Sequence, residues 1–193
     1  MVHAARWNTV LEDVYILETA AQLRALKGNL PLQIVAAFED MGTCAASDIA
    51  DALARPQEGL QYHFKKLVTA GILLKQGKRK TGPRMEETYC LRARAIGIDK
   101  ASTDPAYLEV MKDVFSSIYR FADRAMIRTF DARSEGAEPV AVPTFIQTSF
   151  RLSDAAAAEA EQRIMDLQKF LIANAQPEEE RAYLFTFTCF EEI

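Results

Sequence analysis

Residues 60–73 read LQYHFKKLVTAGIL, and they leave the chain few ways to fold. Leu60, Phe64, Leu67 and Val68 recur at i, i+4, i+7 and i+8, which is one apolar stripe on a helix spanning about 57–70. Gly71 ends that pattern as a C-terminal glycine does. Ile72, Leu73 and Leu74 then restart it with strand chemistry, and Thr88, Tyr89, Cys90 and Leu91 supply a return strand. Gly82-Pro83 marks the tip between them. A helix that turns at once into a hairpin needs an apolar surface beneath both.

The upstream segments can provide that surface. Residues 9–27 carry Val10, Leu11, Val14, Leu17, Ala21 and Leu26 at helical spacing, ended by Gly28-Asn29. A second helix is expected over 31–41, with Pro31 in its first turn and Ile34, Val35 and Phe38 inward. A short third helix over 46–54 places Ile49, Ala50 and Leu53 inward and is broken by Arg55-Pro56. The predicted order is helix, helix, short helix, tight turn, helix, hairpin. Short helix, turn and helix make a helix-turn-helix, and a following hairpin makes it winged.

Charge divides the chain in the same way. Residues 1–96 hold 13 Lys/Arg against 10 Asp/Glu, whereas residues 97–193 hold 10 against 17. Between residues 55 and 84 the basic side chains are Arg55, Lys65, Lys66, Lys75, Lys78, Arg79, Lys80 and Arg84, and the only acid is Glu58. Attraction to phosphate follows local potential rather than net charge, so a basic patch on a chain of net charge −4 points to nucleic acid. A solvated charged face is the bland alternative.

Beyond residue 96 the pattern is a long helix over 105–130, opened by Asp104-Pro105, with Leu108, Met111, Phe115, Ile118, Phe121 or Ala122, and Ala125 inward. Residues 144–152 alternate as a strand. Ser153-Asp154 opens a helix to about residue 173, with Ile164, Leu167, Phe170 and Leu171 inward. Residues 182–193 close the chain as a strand. The expected fold class is therefore mainly α with a small β component, α+β. A winged helix-turn-helix domain with an N-terminal dimerisation helix covers 1–96, and a C-terminal helical and strand domain covers 97–193. The aromatic residues Phe115, Tyr119, Phe121, Phe145, Phe185 and Phe187 of the second block form a candidate pocket for a small apolar or aromatic effector. A packed core and dimer interface accounts for the same residues.

The stretches LRAL, LPLQIV, ASDIADAL and LQYHFKKLVTAGIL, with a basic wing closed by TYCL, resemble the winged helix-turn-helix of ArsR-like bacterial transcription regulators over about residues 23–92. The resemblance implies a homodimer on double-stranded DNA, acting as a repressor at a pseudo-palindromic operator. Leu32 stands where an arginine is common in the family, and Pro56 where a capping side chain is usual. Gly59 occupies the first turn of the recognition helix. The cysteine clusters of the metal-sensing members are absent from this sequence, so no metal is carried over.

On the recognition helix, Gln57, Gln61 and Lys65 share the face opposite the apolar stripe, flanked by Glu58, Tyr62 and Lys66. Glutamine amides pair with adenine and glutamate accepts from cytosine. Gln57, Glu58, Gln61 and Tyr62, near the helix N-terminus, are accordingly the candidate base readers. Lys65 and Lys66 suit backbone phosphates, and Lys78, Arg79, Lys80 and Arg84 on the wing suit a flanking minor groove or its phosphates.

Catalytic chemistry finds little material. The histidines are His3 and His63, and His63 beside the Phe64 stripe reads as a structural, hydrogen-bonded residue. Cys44, Cys90 and Cys189 show no CxxC or Cys–His spacing, so neither a zinc site nor a disulfide framework is indicated, and a reducing compartment is. The sequence has no P-loop, GxGxxG or GxSxG motif, and no cofactor is expected. The N-terminal stretch, with acids at 12, 13 and 18, lacks a signal-peptide core, and no apolar run approaches a membrane span. The expectation is a cytoplasmic, non-enzymatic, non-membrane protein. A winged-helix protein-interaction or assembly module that does not bind DNA remains the rival.

Overall fold

The computed structural model describes residues 12–81, 84–136, 150–174 and 186. Its first element corrects the expected N-terminal dimerisation helix: within residues 9–27, Glu12–Leu17 is a strand, β1. Val14, Tyr15, Ile16 and Leu17 fit a period of two as well as the helical one, and β-branched and aromatic residues favour the strand. What decides the matter is a distant partner. β1 pairs in parallel with β5 (Ala93–Ile98), matching Glu12 with Ala93 and Ile16 with Gly97. Tyr15 and Leu17 turn inward, and Leu17 is fully buried, while Val14 and Ile16 face out. A Cβ on Gly97 would lie 2.5 Å from Ile16 Cδ1, so a larger residue there would require the Ile16 side chain to move.

A short helix α1 (Ala20–Leu23) follows, opened by a capping box. The Thr19 hydroxyl accepts from the Gln22 amide at 3.2 Å, and the Gln22 side chain accepts from the Thr19 amide at 3.0 Å. One 3-10 turn, Arg24–Leu26, leads to Gly28, whose φ of +105° suits glycine and which precedes α2 (Asn29–Met41). The two-residue strand β2 (Cys44–Ala45) leads directly into α3 (Ala46–Ala52), and a short turn leads to α4 (Gln57–Thr69). The hairpin strands are β3 (Leu73–Thr81) and β4 (Arg84–Leu91), with β2 on the outer edge of β4 in an antiparallel sheet ordered β2-β4-β3. Gly82-Pro83, the expected tip, lies outside the described residues.

The core joins Ile34, Val35 and Phe38 of α2, Ile49 of α3, and Leu60, Phe64 and Leu67 of α4 to Leu73 and Leu91 of the hairpin. Each large side chain buried here contributes about 1.5–3 kcal/mol. Gly71, at φ +75°, lets the chain turn from α4 into β3, and a Cβ there would meet the Tyr15 hydroxyl at 2.7 Å. That hydroxyl in turn donates to the Ala70 carbonyl at 3.0 Å.

The helix α5 (Pro105–Ser134) is longer than expected and turned by one residue. Its buried positions are Tyr107, Val110, Val114 and Ser117, while Leu108, expected inward, is exposed and Met111 and Ile118 are only partly covered. α5 has two adjacent apolar stripes, and Tyr107 selects between them. Its hydroxyl donates to the Leu17 carbonyl at 2.6 Å and accepts from the Asp99 amide at 2.8 Å. Tyr107→Phe should therefore destabilise the fold by about 1–2 kcal/mol, because buried backbone groups lose a partner without loss of volume. Equilibrium denaturation checks this, and an unchanged midpoint would show that the hydroxyl is dispensable.

Two compact units result, one reaching to Phe121 and the other from Ala122 on. The first runs past the boundary expected at residue 96, because Tyr107, Val110 and Val114 belong to its core. In the second, α6 (Asp154–Ala173) begins at Ser153, whose hydroxyl accepts from the Ala156 amide at 3.3 Å. None of its residues is buried, so Ile164, Leu167, Phe170 and Leu171 do not form the inward stripe expected of them. Phe150–Leu152 is not strand, and residues 144–149 and nearly all of 182–193, the other expected strand positions, lie outside the described residues. The described architecture is mixed α and β, with two small sheets. Among the described residues no helix is long and apolar enough to cross a membrane.

Candidate nucleic-acid interface

α4 is held by its apolar face and presents its polar one. Phe64 stacks edge-on against Phe38 of α2 at 5.8 Å and against Tyr89 of β4 at 5.4 Å, which fixes the helix between both. Its start at Pro56 has no side-chain cap, as the sequence implies. On the opposite face Glu58, Gln61, Tyr62 and Lys65 are exposed, and Gln57 and Lys66 are half-buried. Tyr62 is 63 % exposed, and the Lys66 ammonium lies 4.8 Å from the centre of its ring. This contact braces the tyrosine and keeps one lysine against the helix.

The hairpin stands beside that face. Lys78 pairs across the ladder with Glu87, Arg79 with Glu86 and Lys80 with Met85, after an irregularity between Lys75 and Gly77. Side chains alternate along a strand, so Lys78 and Lys80 share one face and Arg79 takes the other. Lys78 and Lys80 are exposed. Arg84 is placed opposite Thr81 at the far end of the ladder. Arg79 has a protein partner: its guanidinium donates to Asp48 Oδ1 of α3 at 2.8 Å. That hydrogen bond, with the Asp48 and Glu86 charges, raises the Arg79 pKa further, so the group stays ionised.

Two consecutive carboxylates of β4 face opposite sides of the hairpin. Glu86 accepts from the Ser47 hydroxyl at 2.6 Å. Glu87 accepts from Lys75 at 3.0 Å and from the Tyr89 hydroxyl at 2.9 Å, and these bonds hold its carboxyl below the ordinary range. Between the hairpin and α4 lies a cavity of about 260 Å3, with Phe64 and Tyr89 among its apolar lining and Gln57, Gln61, Glu86 and Glu87 among its polar lining. Met85, 61 % exposed, borders it. Thus α4 and the hairpin bring Gln57, Gln61 and strand β4 together around one concave surface. Asp48, Ser47, Glu86 and Glu87 were not singled out by the sequence. Asp48 could have been, as a carboxylate in the first turn of a short helix, but its partner Arg79 is 31 residues away.

Other expected sites look different. His63 Nδ1 is buried without a hydrogen-bond partner, which corrects the expectation of a satisfied histidine. Burial and the nearby Lys66 lower its pKa and keep the ring neutral. Cys44 and Cys90 are buried thiols, and Cys90 Sγ accepts from the Gln76 side chain at 3.0 Å; burial, with the Asp48 charge, pushes the Cys44 thiol up to about 12. A thiol so placed is held in its protonated form. No cluster of three metal-ligating side chains occurs among the described residues. Of the candidate effector pocket, Phe115 and Phe121 are half-buried and Tyr119 is exposed on α5, while Phe145, Phe185 and Phe187 lie outside the described residues. No protein family matches the chain, and neither does any curated protein.

Proposed function

We propose that this chain is a DNA-binding transcription regulator, a repressor, in which α3 and α4 act as a helix-turn-helix and β3–β4 as its wing. It works as a cytoplasmic homodimer on a pseudo-palindromic operator. The observation that carries this reading is the concave surface that Gln57 and Gln61 of α4 share with Glu86, Glu87 and Tyr89 of β4, on a hairpin whose Lys78 and Lys80 are exposed. Amides on a helix match the donor and acceptor pairs of adenine in a major groove, and ammonium groups to one side match phosphates. The resemblance to ArsR-like regulators in LQYHFKKLVTAGIL adds to it.

Recovery of genomic DNA bound by the native chain tests the reading. A discrete set of fragments should emerge, sharing an inverted repeat whose half-sites are centred about one helical turn, roughly 34–36 Å, apart. Absence of enrichment, or binding insensitive to salt, would favour the protein-interaction module instead. On a recovered site, Gln61→Ala should cost roughly 1–3 kcal/mol and relax preference at one base pair, with little loss on mixed-sequence DNA. Equal losses on both would make Gln61 a positioning residue.

A further inference from the structure

The wing is tied to α3 by a short chain of polar contacts that the reading above leaves unused. Asp48 uses both carboxylate oxygens. Oδ2 accepts from the Ala45 amide at 2.8 Å, capping the start of α3, and Oδ1 accepts from Arg79 Nη2 at 2.8 Å. Across the ladder from Arg79 sits Glu86, which accepts from the Ser47 hydroxyl at 2.6 Å. Ser47 and Asp48 are adjacent in the first turn of α3, so one turn of helix grips both strands of the hairpin. β2 supports the hairpin only as far as Ala45 opposite Thr88, and the hairpin continues past that pair as a two-stranded ribbon. A two-stranded ribbon alone holds its shape poorly in water.

Resting on the DNA-binding reading, we infer that Asp48 and Arg79 are positioning residues: their ion pair fixes the wing against α3, and so fixes where Lys78 and Lys80 lie relative to the reading face of α4. Arg79 is then a strut and not a phosphate contact. Two features agree. Arg79 lies on the strand face opposite Lys78 and Lys80, so it does not share their direction. One of its amino groups, Nη2, is already engaged, with the Asp48 side chain 25 % exposed and that of Arg79 45 %. The contact is far shorter than the screening length of about 8–10 Å, so moderate salt leaves it in place.

The strut and the phosphate contact predict opposite results. A carboxylate near DNA repels it, so neutralising Asp48 should tighten binding if charge alone matters. If Asp48 is half of a strut, Asp48→Asn should weaken binding, because Lys78 and Lys80 must then be ordered during association. The asparagine amide keeps an oxygen for the Ala45 N–H, which spares the helix cap.

The full-length chain would be titrated with a mixed-sequence DNA duplex and with a recovered operator fragment over a range of salt. Thermal unfolding would confirm that each variant is folded. Asp48→Asn, Arg79→Ala and Arg79→Lys should each bind roughly three- to tenfold more weakly, with salt slopes equal to the native one. Arg79→Lys belongs with the losses because an ammonium keeps the charge but ends one bond short of the position from which Nη2 reaches Asp48. Asp48→Asn and Arg79→Ala combined should lose no more than either alone.

Tighter binding by Asp48→Asn overturns the inference. So does a slope flattened by about one unit in Arg79→Ala but native in Arg79→Lys, since that marks a phosphate contact. A native chain that binds neither duplex overturns the DNA-binding reading itself, which is seen before any variant is compared.

Discussion

Neutralising Lys78, Lys80 and Arg84 together should lower affinity for specific and mixed-sequence DNA alike, by roughly a hundredfold near physiological salt. The size follows from counterion release. Each phosphate contact contributes about 0.9 to the slope of log affinity against log salt, so three lost contacts should flatten it by nearly three units. Lys78 and Lys80 are exposed on one face of β3, and Arg84 closes the ladder opposite Thr81. Their removal leaves the core beneath α4 intact, so the variant should unfold at the native temperature. Fluorescence anisotropy at several salt concentrations reads both affinity and slope. An unchanged slope in the triple variant would remove the wing from the interface. Gln61 should behave differently, losing preference and not slope, and that contrast separates reading from holding.

How far this surface was legible in the sequence depends on the range over which each feature is encoded. The stripe Leu60, Phe64 and Leu67 lies within one helix and needs no partner to be recognised, and all three residues are buried as expected. The same holds for Ile34, Val35 and Phe38 and for Ile49. β1 was not legible, because Val14 to Leu17 satisfy two periods at once and the partner strand starts at Ala93. A two-stranded parallel pair joined through most of a domain leaves no local turn signal. α5 failed in phase and not in kind: neighbouring apolar stripes differ by one residue, and the contacts that discriminate between them, the Tyr107 hydroxyl on the Leu17 carbonyl and the Gly28 amide on the Ser117 hydroxyl, come from far along the chain. The polar side of the wing was hidden for a related reason. Basic residues can be counted along a chain, but the engagement of Arg79 by Asp48 depends on α3 lying against β3.

Charging Leu17 and charging Phe115 should produce two different failures. The sequence pattern raises the expectation that both lie on surfaces shared between subunits, but Leu17 is fully buried in the first unit, its carbonyl bound by Tyr107. Leu17→Glu forces a carboxylate into that core at a cost of several kcal/mol, besides the lost packing. Against a total stability of about 5–15 kcal/mol, this should abolish cooperative unfolding. Phe115 lies on the other stripe of α5, between exposed Leu108 and exposed Tyr119, and is not among the side chains packed on the core. Phe115→Glu should therefore keep the native circular dichroism and melting temperature while shifting the sedimentation coefficient from dimer to monomer. Operator binding should fall with it. One recognition helix makes too few base contacts to stand out against a genome of competing sites, and two-fold pairing doubles them. Mixed-sequence binding, which rests on phosphates, should fall much less. A native chain that sediments as a monomer at micromolar concentration and still binds its operator tightly would refute the dimer and, with it, the pseudo-palindromic site.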